Sequence, residues 1–385
     1  MTPVTALVTP SRFAGADRLR GLIMVLMAID HASFFIARVH PAETWAAPPP
    51  HYASTLAFLT RWLTHLCAPG FFLLMGAGMT WLAASRRAVG WSAGRITRFF
   101  VTRGLALLVI QQFIENPAWG LGLFSASAEA PPTAKLPGDE SGVFLVFAVI
   151  TALGVSLMFW SWLTQASGVV IAAISLAALG ASVWMTPPPA DANFAFTPLV
   201  RFTFVPGATG IVEVAYSVVP WLVPTGFGLL LGRGFLRTPD ATSGRLLATG
   251  AALVVLAIGL RAAAIGDPFD PLPGAIGFLT LTKYPPSPVF FAMMLGIDLV
   301  LLWLLTRITL PRLTAPLEVF GRTALFFYLA HLYLLGAASW LFRSGTTFFV
   351  MYLVWAAALA ALYPACRWYA GFKGRRPVTS IWRLL

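Results

Sequence analysis

Residues 17–39 read DRLRGLIMVLMAIDHASFFIARV, and this stretch decides the fold class. A charged run ends at Arg20, an apolar run follows, and Asp30–His31 interrupts it before the apolar character resumes. About 20 apolar residues cross a hydrocarbon core as a helix. Comparable stretches recur at 57–84, 99–118, 142–163, 167–186, 214–236, 244–264, 287–306, 317–340 and 347–368. The chain is 58% hydrophobic and only 10% charged, whereas soluble domains carry about 25% charged residues. Alternating segments of about 10 residues, the mark of an outer-membrane barrel, are absent. The expected fold is an all-α polytopic membrane protein with about ten transmembrane helices.

Basic residues orient these spans. Arg12, Arg18 and Arg20 precede span one, and Arg86, Arg87, Arg95 and Arg98 fill the second connection. Arg233 and Arg237, Arg307 and Arg312, and the tail residues Arg367, Lys373, Arg375, Arg376 and Arg383 continue the pattern. The third connection instead sets Lys135 against Glu129, Asp139 and Glu140. By the positive-inside bias, even connections and both termini are expected in the cytoplasm. The division is then a cytoplasmic N-terminal segment (1–20), one transmembrane domain (21–368) and a basic cytoplasmic tail (369–385). Residues 1–16 lack the apolar core of a signal peptide. The net charge of +12 follows from these loops and does not indicate nucleic acid. Cys67 and Cys366 form no metal spacing, and no metal is expected. Gly76 and Gly78 are expected to serve close helix packing.

Ionisable groups at membrane depth are costly and by default functional. Asp30 and His31 in span one, His65 in span two, Glu115 in span three, Asp298 in span eight and His331 in span nine stand out. Counting about 1.5 Å per residue places the three histidines at similar height in the outer half, which suggests one polar pocket. Asp17, Arg20 and His31 share one helical face, Arg20 and His31 about 20° apart. Tyr328 and His331 lie on one face of span nine. Each histidine also has a plain structural reading, a bond to a neighbouring helix's backbone.

Four strings carry a resemblance. DRLRGLIMVLMAIDHASFF at 17–35 and TRWLTHLCAPGFFLLMGAG at 60–78 are similar to the opening and second-span signatures of a bacterial membrane family related to heparan-α-glucosaminide N-acetyltransferase. LTKYPPSPVFFAMMLG at 281–296 and FGRTALFFYLAHLYLL at 320–335 follow in the family's order. The resemblance implies a transmembrane acyltransferase that moves an acyl group, typically acetyl, from cytoplasmic acyl-CoA to an amine or hydroxyl acceptor on the other side. Asp17 and Arg20–Gly21 match its opening motif, and His31 and His65 match its bacterial histidines. In the animal enzyme the catalytic His lies in the first non-cytoplasmic connection. Here that connection holds His40 and His51 at other spacings, while the His31 and His65 positions are Asn and acidic in the animal enzyme.

The expected mechanism uses a neutral imidazole as base for the acceptor's proton. His31 is the first choice, its tautomer fixed by Asp30 or a nearby carbonyl, and His65 the second. His331 and Tyr328 would stabilise the oxyanion or bind an acceptor hydroxyl, with Glu115 on the acceptor side. Asp17, Arg20, Arg86, Arg87, Arg95 and Arg98 would hold the coenzyme A phosphates. Expected partners are the lipid bilayer of a bacterial inner membrane, acyl-CoA and a glycan or small-molecule acceptor, with a homodimer open. Two other classes use the same residues: a proton-coupled transporter or flippase with His and Asp as relays, and a non-catalytic membrane scaffold.

Overall fold

The first apolar run folds as α1 (Pro10–Ala32), prolonged by a π turn over Ser33–Ala37. The computed structural model describes residues 10–130, 136–138, 143, 145–188, 196–377 and 379–383. Then come α2 (Thr55–Thr64), α3 (Cys67–Ala88), α4 (Ala93–Ile110), α5 (Asn116–Leu123), α6 (Val149–Ser161), α7 (Gly168–Met185) and a short α8 (Pro198–Thr203). The second half holds α9 (Val218–Arg237), α10 (Pro239–Ala262), a short α11 (Gly274–Leu279), α12 (Pro288–Arg307), α13 (Pro311–Arg322), α14 (Ala324–Ala338) and α15 (Phe348–Gly374). α1 is the axis, touching α2, α3, α12, α13, α14 and α15.

Among the described residues, eight stretches are long and apolar enough to cross a membrane: Ala14–Ala37, Thr55–Ala88, Gly168–Met185, Val218–Arg237, Thr242–Ala262, Pro288–Arg307, Ala324–Leu341 and Phe348–Gly374. The protein is thus a multi-pass α-helical membrane protein. Large apolar side chains such as Val169 and Trp184 of α7, Val255 of α10 and Phe349 of α15 stay exposed on the bundle. Those faces suit lipid, where apolar surface carries no hydration penalty.

The two remaining expected spans are built differently. Span three is helical from α4 through a π turn at Gln111–Glu115 into α5. Span four shrinks to α6, whose 13 residues rise only about 20 Å. Its expected beginning is instead β1 (Leu145–Phe147), which pairs in parallel with β3 (Val212–Val214). β3 in turn pairs antiparallel with β2 (Gly207–Thr209), so α9 starts only at Val218. Expected span nine divides into amphipathic α13 and apolar α14 at Thr323. α1 already begins at Pro10, inside the expected N-terminal segment, and α15 continues into the expected tail as far as Gly374. Lys135, Asp139 and Glu140 lie outside the described residues.

Two local features position the site. α1 and α13 cross backbone to backbone: a β-carbon on Gly21 would overlap the Leu317 carbonyl, and one on Gly321 the Asp17 carbonyl. Glycine is therefore required in the Arg20–Gly21 pair. Span two breaks at His65–Leu66 between α2 and α3. Pro69 explains the break, since it has no N–H for the His65 carbonyl four residues back and its ring crowds that carbonyl.

Candidate functional site

α14 presents Phe327, Tyr328 and His331 to α1. The rings of His31 and His331 stack at 4.9 Å with 10° between planes, and His31 Nδ1 stands 2.6 Å from His331 Nε2. His331 Nδ1 lies 3.0 Å from the Phe327 carbonyl, which can only accept. His331 therefore carries its proton on Nδ1 and accepts at Nε2, so His31 donates from Nδ1. That leaves the His31 lone pair on Nε2. This nitrogen makes no hydrogen bond among the described residues, and it is not sealed from open space. A backbone carbonyl, acting through His331, thus sets the tautomer of His31. Asp30 does not: its Oδ1 is engaged by Arg61 and Thr64, each at 2.8 Å.

Asp30 belongs instead to a buried network at the same end of the bundle. Arg61 of α2 donates from Nε and Nη2 to Glu43 at 2.8–3.2 Å and from Nη1 to Asp30. Tyr52 Oη donates to Glu43 at 2.8 Å, and His40 Nε2 lies 3.2 Å from Arg61 Nη1. His65 is separate from the imidazole pair. Its Nε2 stands 3.3 Å from Glu43 Oε2 without hydrogen-bond geometry, and its ring packs near Phe290 at 5.6 Å. The expected single pocket of three histidines is thus two adjoining clusters. Burial alone would raise the Glu43 carboxyl, but Arg61 and His65 hold it well below its usual range. Burial, aided by the Arg61 cation, pushes His40 down to about 4, so it is neutral at pH 7.

Sequence reasoning passed over Arg61 and Glu43. The signal was present, because Arg61 is a charge four residues before His65 inside an otherwise apolar run. A buried guanidinium needs anionic partners, and the connection 40–56 offers Glu43.

From the opposite end, a cavity of about 370 Å³ enters between α1, α3, α4, α6, α13 and α14. Arg20, Arg103, Arg322 and Lys373 line its basic part; the remainder is apolar, with Met24, Met75, Phe100, Leu153 and Leu325 on its walls. Gly78 faces this space with nothing within 4 Å, so it is a wall of the cavity and not a packing contact. Gly76, by contrast, meets the α9 backbone at Thr225 as expected. Tyr328 is the one hydroxyl among the described lining residues, and its ring also lies 5.6 Å from His331 and 6.1 Å from His31. Its Oη donates to buried Glu115, which also accepts from Trp119 Nε1 at 3.2 Å. The π turn at Gln111–Glu115 carries Glu115 to that position, a common use of such turns.

At the basic end Asp17 pairs with Arg20 at 3.0 Å and with Arg322 at 3.3 Å, while Arg18 and Arg322 share Glu318. Arg86 and Arg87 do not line the cavity. Arg86 and Arg95 instead lie over the Trp91 ring, at 5.7 and 4.2 Å. Arg95 and Arg98 line a separate space shared with Arg103 and Ser380. Of the expected cation set, Arg20 alone lines this cavity, in company with Arg103, Arg322 and Lys373. Asp298 is fully buried, and neither of its oxygens is hydrogen-bonded among the described residues. No group of three or more His, Cys, Asp and Glu side chains could hold a metal ion among the described residues.

No protein-family model matches the chain, and no curated protein matches it at a significant level.

Proposed function

We propose that the protein is a membrane acyltransferase that moves an acyl group from acyl-CoA, bound at the basic end, to a hydroxyl or amine acceptor beside His31. The observation that carries the reading is one cavity, cationic at its mouth and apolar inside, ending at Tyr328 next to the imidazole pair. Coenzyme A has that polarity, with phosphates at one end and a slender arm bearing the thioester at the other. The phosphates would meet Arg20, Arg103, Arg322 and Lys373 as charge-assisted hydrogen-bond partners. By the positive-inside bias this end faces the cytoplasm, and the chain would make ten crossings with both termini there.

In the proposed step, His31 Nε2 takes the proton of the acceptor O–H or N–H. The acceptor atom forms a bond to the thioester carbonyl carbon, and the carbon–sulfur bond breaks. The thiolate leaves and recovers the proton from His31, so ester or amide and free thiol are the products. The hydrogen bond from His31 Nδ1 to His331 orients the base and spreads its charge when protonated. Tyr328 Oη is the donor in place to turn from Glu115 toward the developing oxyanion, where a preorganised donor is worth about 10²–10³ in rate.

Gly78→Leu tests the reading, because its side chain would extend into the cavity from a position that touches nothing else. Binding of acetyl-CoA to the purified protein should be lost with the melting temperature unchanged. Unaltered binding would overturn the assignment of this cavity to the donor.

A second reading, proton-coupled transport, draws support from Asp298, a buried carboxyl without a hydrogen-bond partner. Such groups mark proton pathways in membranes. Asp298→Asn would then abolish proton-coupled uptake in liposomes, whereas the transferase reading expects transfer to survive it.

A further inference from the structure

Lys283 stands in the string LTKYPPSP just before α12, and no step described so far uses it. It is 3% exposed, and its ammonium lies 5.1 Å from the centre of the Tyr284 ring. No hydrogen bond from Nζ to any described residue exists, yet the nitrogen is not sealed from open space. Its ammonium thus keeps hydrogen-bond donors that no described residue takes up. The backbone fixes it there: Lys283 and Tyr284 both donate N–H to the Glu43 carbonyl, at 2.9 and 3.0 Å, and Trp45 N–H donates to the Tyr284 carbonyl at 3.0 Å. Thr282 and Ser287, on either side, both donate to Asp267.

Glu43, whose carbonyl these N–H groups hold, bonds Arg61 through its carboxylate, and Arg61 bonds Asp30 beside His31, so Lys283 belongs to the Arg61 network. Two more atoms of that region are open and unbonded among the described residues: Asp30 Oδ2, whose partner oxygen takes both Arg61 and Thr64, and His31 Nε2. One free donor, one free acceptor and the free lone pair of the base are thus tied together through the chain of bonds from Lys283 by Glu43 and Arg61 to Asp30. The four charged groups cancel, Arg61 and Lys283 against Asp30 and Glu43. A charged ligand would leave this buried set with a net charge, which is costly in a low dielectric. An uncharged one bearing several hydroxyls would satisfy donor and acceptor together.

We propose that Lys283 and Asp30 form a donor–acceptor pair that grips neighbouring hydroxyls of an uncharged polyhydroxyl acceptor and holds a further hydroxyl at His31 Nε2. The inference rests on the acyl-transfer reading and makes the reaction O-acylation, with ester as the product. Lys283 donates to one acceptor oxygen, Asp30 Oδ2 accepts from the next, and the reacting hydroxyl gives its proton to His31.

The test uses the full chain in nanodiscs, without acyl-CoA, and one pyranose ring in three charge states: methyl α-glucoside, glucosamine and glucuronate. The neutral glycoside should bind at least tenfold tighter than either charged analogue. Equal or tighter binding of a charged analogue overturns the proposal, and this arm needs no variant. Lys283→Met should then weaken glycoside binding at least tenfold and raise the acceptor KM while the acyl-CoA KM stays put. Wild-type glycoside affinity in a folded Lys283→Met protein also overturns it. Labelled acetyl-CoA added to the same samples separates the two claims. Glycoside binding without any transfer removes the transferase reading alone, whereas transfer that ignores Lys283 removes this inference alone.

Discussion

The two ends of the bundle handle charge in opposite ways. At the basic end the ion pairs are partly exposed and shared: Arg322, 55% exposed, reaches both Asp17 and Glu318. At the other end Arg61 is 3% exposed and all three of its nitrogens are bonded to Asp30 or Glu43. Exposed pairs contribute little to stability and exchange partners readily, so the basic end can open its arginines to a ligand's phosphates. The buried network is fixed, because removing one member strands the others without water. One end is built to exchange partners, the other to hold its buried charges in place.

The largest expected effect strikes the fixed end. Arg61→Ala should destabilise the protein by about 3–5 kcal/mol, the usual result of stranding buried charges, whereas Arg322→Ala should hardly move the melting curve in detergent. Similar curves for the two variants would break the comparison. His31→Ala should leave melting near wild type and lower acyl transfer by about 10²–10⁴, the usual contribution of a general base. His331→Ala should fall in the same range, since it removes the partner that sets the tautomer; activity near wild type would show that the pair does not act as a unit.

Arg322→Gln should raise the acyl-CoA KM several-fold with kcat preserved, and added salt should shrink that difference because exposed charges are screened. A change in kcat with constant KM would contradict an exchangeable mouth. The fixed end has a pH signature as well. Folded His40 titrates near 4 against an ordinary 6.5, so between those values the unfolded chain binds more protons. Stability is thus complete above about pH 6.5 and declines as pH falls toward 4. His40→Gln should flatten that decline in melting temperature; an unchanged profile would assign it elsewhere. Smallest of all, Arg86→Gln with Arg87→Gln should change stability by no more than about 0.5 kcal/mol and leave donor affinity intact, since neither side chain lines the cavity.

Much of this contrast was legible in the sequence, and the reasons are physical. Eight spans could be read because a run of about 20 apolar residues has few other destinations. α6 was overestimated because β1 is as apolar as the helix it precedes, and hydropathy does not separate them. Expected span nine takes in the second half of α13 and leaves the first half in a connection, because hydropathy alone does not mark an amphipathic helix of twelve residues as a unit. At the site, His31 and His331 were singled out as intramembrane imidazoles, and they do meet. The Arg61 network was not foreseen, since Glu43 comes from a connection without periodicity and its pairing is long-range. Which cations share the cavity with Arg20 was not readable for a related reason. The positive-inside bias gives a residue's side of the membrane but not its neighbours.

Transfer between the two ends can be followed in proteoliposomes of one orientation. Labelled acetyl-CoA is supplied only on the side of Arg20 and Arg322, and a pool of hydroxyl and amine acceptors only on the other. Wild-type protein should yield labelled acceptor in the second compartment, and folded His31→Ala none above background. No labelled acceptor from folded wild-type protein, or equal labelling by the two proteins, would contradict such transfer.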